Sequence, residues 1–148
     1  MKIDIIVGAR PNFIKVAPLI HYFKKNKKEI SYRLIHTGQH YDDSMSNSFF
    51  KDLDIPKPNY NFNSKSGSQS EQTAKIMIAY EKVLLKKKCD LCIVVGDVNS
   101  TMASAITAKK IGIKIAHIEA GLRSKDLTMP EEINRILTDS IADYFFTT

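Results

Sequence analysis

Two carboxylates in this chain, Asp97 and Glu119, each follow a short apolar run, Leu91–Val95 in the first case and Ile113–Ile118 in the second. Structural acids are usually scattered over a solvated face, whereas acids that terminate strands of a parallel sheet look into the crevice beyond the strand ends. Arg10 and Lys15 follow the β-branched run Lys2–Val7, Gln39 and His40 follow Ser31–His36, Arg123 follows Glu119, and Glu131 and Glu132 come directly after Pro130. Acids that exchange protons, set among cations that hold an anion, are what a general acid/base site for an anionic substrate requires. The spacing specifies no reaction. Plainer roles stay open as well: Arg10 paired with a nearby acid, Lys15 merely solvated, His36 a satisfied core histidine, and Glu131 and Glu132 complementing a helix dipole.

The elements that must position these groups alternate in type. Strands are expected at Lys2–Val7, Ser31–His36, Asn59–Asn63, Leu91–Val95, Lys114–Ile118 and Asp143–Thr147. Helices are expected over about 12–25, 42–53, 69–87, 100–110 and 131–141, and Ser64 to Ser68 is a loop by composition. Pro11 suits a first helical turn, Asn12 could cap it, and Arg10 then sits at a helix amino terminus that already favours anions. Neither a Walker loop nor a G-x-G-x-x-G is present. The pattern predicts an α/β fold with a doubly wound, mainly parallel sheet of Rossmann-like type, and it would gather the strand-end groups on one edge.

At 148 residues the chain has the length of one ordinary domain, residues 1–148. Its 22 Lys and Arg against 16 Asp and Glu give +6, but much of the excess lies in Lys24-Lys25, Lys27-Lys28 and Lys86-Lys87-Lys88, where helices should be ending. No aromatic residues interleave with those runs, which argues against a nucleic-acid platform. No apolar stretch approaches the roughly 18 residues of a membrane span, and no cleavable leader is evident, so a cytoplasmic protein is expected. Cys89 and Cys92 form a lone C-x-x-C entering a strand. Zinc would need two further ligands, and His21, His36, His40 and His117 lack the spacing to supply them, so no metal is expected.

Five segments, GARPNFIKVAP, HTGQHYDD, VVGDVNSTMA, HIEAGLRS and MPEEINRILTDSIADYFF, together resemble the non-hydrolysing UDP-N-acetylglucosamine 2-epimerases along the whole chain. The resemblance implies the amino-terminal Rossmann-like half of a glycosyltransferase-B type two-domain architecture, with a missing carboxyl-terminal half that grips UDP, no cofactor, and a homodimer in the intact parent. It implies inversion at C2 of a UDP-sugar, UDP-GlcNAc to UDP-ManNAc, through UDP elimination to a 2-acetamidoglucal and re-addition. On the matching positions Asp97, Glu119 and Glu131 would be the acid/base groups. Arg10 and Lys15 would contact substrate, and Arg135 would orient Glu131 or a phosphate. Gln39 and His40 match positions near a second, activating substrate molecule in some members, although Asp42 stands where those have glutamine. Asn12 replaces the more usual glutamate after proline, and Gly-Asp-Val-Asn-Ser replaces Gly-Asp-Thr-Thr-Thr. A hydrolysing relative releasing ManNAc, or a non-catalytic nucleotide-sugar module, would account for the same residues, and the fragment alone is expected to be inactive.

Overall fold

A computed structural model of the chain describes residues 1–38, 47–65 and 67–147. The first strand, β1 (Lys2–Val7), is buried at every position after the first because helices cover both of its faces, as is usual in a parallel sheet. It leads into α1 (Arg10–Lys25), then β2 (Ser31–His36), α2 (Asn47–Asp52) and β3 (Tyr60–Asn61). The chain continues through α3 (Gln69–Lys86), β4 (Leu91–Val95), α4 (Asn99–Lys110), β5 (Lys114–Ile118), α5 (Pro130–Ile141) and β6 (Tyr144–Phe146).

All pairings are parallel and the strand order is β3-β2-β1-β4-β5-β6, with β1 lying between β2 (Ile5 beside Leu34) and β4 (Ile5 beside Ile93). The order reverses at β1, so right-handed crossovers send the helices before and after that point to opposite faces. Phe13, Val16 and Ile20 of α1 and Phe49 of α2 pack with Ile5, Val7 and Leu34 on one face. Tyr80, Val83 and Leu84 of α3 and Ala105 and Ala108 of α4 pack with Ile6, Val94 and Ile115 on the other.

Four strands keep the expected bounds, and the differences have local causes. Helix α1 begins at Arg10 rather than Asn12, because Ala9 takes the cap position and the Asn12 side chain reaches back from the third helical residue. Strand β3 shrinks to two residues, since it is an edge strand paired only with Ile35 and His36. Of the helix expected over 42–53, Asn47–Asp52 is helical and 42–46 lie outside the described residues. The serine-rich loop ends in an ordered cap, where Ser68 and Glu71 exchange hydrogen bonds at the start of α3.

Helices α1 and α2 pack on β1 and β2, and α1 reaches Ile93 and Val95 of β4, but towards β5 and β6 the same face opens, with Ile118 half-buried and Phe146 exposed. A cavity of about 910 Å³ lies there, walled by Leu19 and Tyr22 of α1 and by Leu91, Ile93, Ile118 and Phe146.

Candidate active site

The carboxyl end of β1 fixes the first part of the site. Gly8 and Ala9 donate their amides to Asn12 Oδ1 at 3.0 and 2.9 Å, which closes the turn into α1. Arg10 is exposed on this turn, with its guanidinium carbon 5.0 Å from the centroid of the Phe49 ring. Gly8 itself packs against α4, where a methyl group in place of its hydrogen would collide with the Ser100 hydroxyl. The amino termini of α1 and α4 therefore lie side by side beyond the ends of neighbouring strands, with their positive dipole ends on the same rim.

Glu119 follows β5 in a left-handed backbone conformation, φ +66°, which is uncommon outside glycine. Its carboxylate accepts from Lys15 Nζ of α1 and lies over Gly96, where an added methyl group would sit 3.3 Å from Oε2. Gly96 is the residue before Asp97, so the two strand-end acids are neighbours. Asp97 is one-third exposed and pairs with Arg135 Nη1 at 3.2 Å, while its backbone carbonyl accepts from Asn134 at 2.8 Å. Arg10, Lys15, Asp97, Glu119 and Arg135 thus lie on one edge; the strand pattern predicts this for Arg10, Asp97 and Glu119, while Lys15 and Arg135 join them from α1 and α5.

The Lys15–Glu119 pair has side chains 37% and 22% exposed. A pair this open contributes about 0.2–1 kcal/mol at most, little enough that an incoming anion can take the lysine. It holds groups ready more than it holds the fold together.

Glu131 differs from the expectation in one respect. It is exposed on the first turn of α5 and makes no hydrogen bond or ion pair with any described residue. Arg135 does not orient it; Arg135 Nε pairs with Glu132 Oε2 at 3.0 Å instead, bridging that acid to Asp97. Glu132 is buried and accepts the amides of Ser124 and Lys125, both at 3.0 Å, and the Ser124 amide first among these contacts holds its carboxyl below the ordinary range. The adjacent acids divide the work: Glu132 pins the β5–α5 loop and Glu131 stays open to solvent.

Two further residues, His117 and Asp139, escape a reading by motif. His117 is fully buried, with Nδ1 2.6 Å from Asp139 Oδ1 and Nε2 donating to the Gly96 carbonyl at 2.8 Å. Asp139 also accepts from the Gly121 amide at 3.0 Å and pairs with Arg123 at 2.7 Å. Burial alone would raise the Asp139 carboxyl, but the bonds from Arg123, His117 and Gly121 outweigh it and hold the group below its ordinary range. The signal available in sequence was the spacing of Glu132, Arg135 and Asp139, which places them on one face of α5.

Gln39 and His40 lie outside the described residues. His36 is buried beside Phe13, and burial lowers its pKa to about 4, consistent with a core role. Cys89 and Cys92 are buried free thiols, and burial pushes Cys89 up to about 12. Among the described residues no three His, Cys, Asp or Glu side chains come together in a way that could hold a metal ion. No described helix is long and apolar enough to cross a membrane.

The sequence pattern of the family described as UDP-N-acetylglucosamine 2-epimerase matches residues 24–148. A UDP-N-acetylglucosamine 2-epimerase homolog of Methanococcus maripaludis is 55% identical over 147 residues, covering 99% of this chain and 40% of the relative. The crystal structure of the Methanocaldococcus jannaschii UDP-GlcNAc 2-epimerase, in complex with UDP-GlcNAc and UDP, superposes with a TM-score of 0.92 at 50% identity over 99% of this chain and 40% of that one. A lipopolysaccharide outer core galactosyltransferase shares the fold alone, with a TM-score of 0.67 at 21% identity. The chain spans about 40% of the length of the curated relatives it matches.

Proposed function

Because the chain belongs to the UDP-N-acetylglucosamine 2-epimerase family, we propose that it supplies the acid/base rim of an enzyme that interconverts UDP-GlcNAc and UDP-ManNAc. One carboxylate takes the C2 proton of the sugar, the C–H electrons form the C1–C2 double bond, and the C1–O pair leaves with UDP. Return of the UDP oxygen to C1, with a proton delivered to the opposite face of C2, completes the inversion. Two proton transfers on opposite faces need two differently placed groups. Asp97, Glu119 and Glu131 fill those roles. Arg10, Lys15 and Arg135 hold the diphosphate, whose charge builds as the C1–O bond breaks. Gln39 and His40 complete the substrate-contacting set.

The observation that carries this reading is the placing of the Glu119 carboxylate over Gly96, next to Asp97, with Lys15 and Arg135 each already paired to one of the acids. The apolar cavity between α1 and the β5–β6 edge supports the need for a further lobe, since open apolar surface of this kind is normally covered. A homodimer belongs to the same proposal, supported by Ile133, Ile136 and Leu137 exposed on α5. So does a cytoplasmic setting, supported by the free thiols. A nucleic-acid partner does not, because Lys24, Lys25 and Lys86 end helices α1 and α3, where cations complement the dipole.

Fusing residues 1–148 to the remainder of the Methanocaldococcus jannaschii relative tests the proposal. The fusion is expected to form UDP-ManNAc from UDP-GlcNAc, and residues 1–148 alone to form none. Free ManNAc as the product would point to the hydrolysing reaction instead, and turnover untouched by Asp97→Asn and Glu119→Gln would leave only a binding module.

A further inference from the structure

Among the described residues, the partners of the Asp139 carboxylate all lie between His117 and Arg123, a short segment with Glu119 near its centre. His117 precedes Glu119 by two residues and Gly121 follows it by two. The remaining nitrogen of His117 donates to the carbonyl of Gly96, the residue before Asp97. One α5 side chain therefore grips the β5 end directly and the β4 end through His117. The chain at Glu119 runs left-handed, and a non-glycine residue stays in that region only when its surroundings over-determine it. The Gly96 carbonyl only accepts, so Nε2 of His117 must donate. The Asp139 carboxylate already takes an amide and a guanidinium, and His117 Nδ1 donates to it as the third.

We propose that Asp139 is a positioning residue: through His117 and the Gly121 amide it locks the β5 end to the β4 end, and so holds the Glu119 and Asp97 carboxylates in a fixed mutual register. The inference rests on the reading in which those two acids exchange protons with the sugar. Asp139 touches no substrate. Loss of the lock slows the chemical step through misplaced acids more than it weakens binding, because Arg10 keeps its contact with Phe49 and Arg135 its pairing with Glu132.

The test uses the fusion described above. Asp139→Asn keeps the shape but turns an amide towards an imidazole nitrogen that donates. It is expected to lower kcat on the order of 10- to 100-fold, the scale of an ångström-sized misplacement, with KM within about twofold. Asp139→Glu, which restores the charge, is expected to recover part of that loss. In 15N spectra of residues 1–148, His117 is expected to show two protonated nitrogens in the parent and one in Asp139→Asn. A kcat within about threefold of the parent, a loss that falls on KM, or unchanged His117 signals would overturn the proposal. His117→Gln, able to satisfy only one of the two acceptors, is expected to give the same kcat-specific loss and replaces Asp139→Asn if that variant does not fold. Glu119→Gln separates the two levels: full turnover there defeats the reading of the site itself, whereas an inert Glu119→Gln beside a fully active Asp139→Asn defeats only the lock.

Discussion

Two acid clusters in this molecule use the same residue types to opposite ends. Asp4, inside β1, is fully buried and takes a bidentate grip from Arg33 at 2.6 and 2.7 Å and a third bond from Tyr80 at 2.9 Å. Asp4 stands beside Arg33 of β2 and Cys92 of β4 across the sheet, so it stitches the central strands together. Asp97 and Glu119, at the carboxyl ends of β4 and β5, each hold one cation and remain partly open. A carboxylate with three bonds already made below the surface has little left for a ligand. A carboxylate with one labile partner at a rim can exchange it. The motif residues are therefore told apart from the structural ones less by charge than by the number of bonds already made.

The contrast is broken or sharpened by three measurements. The largest effect is expected on turnover of the fused enzyme: Asp97→Asn and Glu119→Gln should each lower it about 10²- to 10⁴-fold, the usual value of a placed acid or base, while chemical denaturation shifts by under about 1 kcal/mol. Asp4→Ala should do the reverse in the 148-residue chain, costing about 3–5 kcal/mol of stability because the Arg33 charge is left beneath the surface without its partner. If Asp4→Ala were as stable as the parent, the division between the two clusters would fail.

The smallest effect concerns pH. His36 is held neutral by burial, with a folded pKa of about 4 against an ordinary value near 6.5. The unfolded chain therefore takes up a proton that the folded chain refuses. Stability should be full above about pH 6.5 and decline towards about pH 4, by on the order of 3 kcal/mol in total. His36→Gln should flatten that part of a stability profile measured by urea titration, and a profile indistinguishable from the parent's would show that His36 is not buried as described. Asp139, whose carboxyl is depressed, adds a separate loss below the ordinary carboxylate range, as the group is protonated and its bonds are given up.

Much of the architecture was legible because it rests on short-range signals. β-branched runs interrupted by glycine and proline gave β1, β2, β4 and β5 with their observed bounds, and alternation with helices implied the parallel sheet. Arg10, Asp97 and Glu119 were legible because each lies within three residues of a strand end. The supports behind them were not. Glu132, His117 and Asp139 act across 7 to 22 residues, and their partners meet only when α5 docks. Helix α5 also misleads by pattern: its Ile133, Ile136 and Leu137 are exposed, whereas Glu132, Asn134 and Thr138 are buried. Ordinary amphipathic reasoning would bury the apolar stripe; here the polar face turns inward because it carries the hydrogen bonds that hold the β5–α5 loop and Asp97.

The missing side chain at Gly8 sets a dimension of the molecule. Because nothing larger than hydrogen fits between that backbone and Ser100, the first and fourth helices start as near to each other as two chains can pack. A Gly8→Ala chain would have to separate them, widening the gap between Arg10 and the loop of Asp97. An absent carbon atom thus sets how closely the two helix starts approach each other.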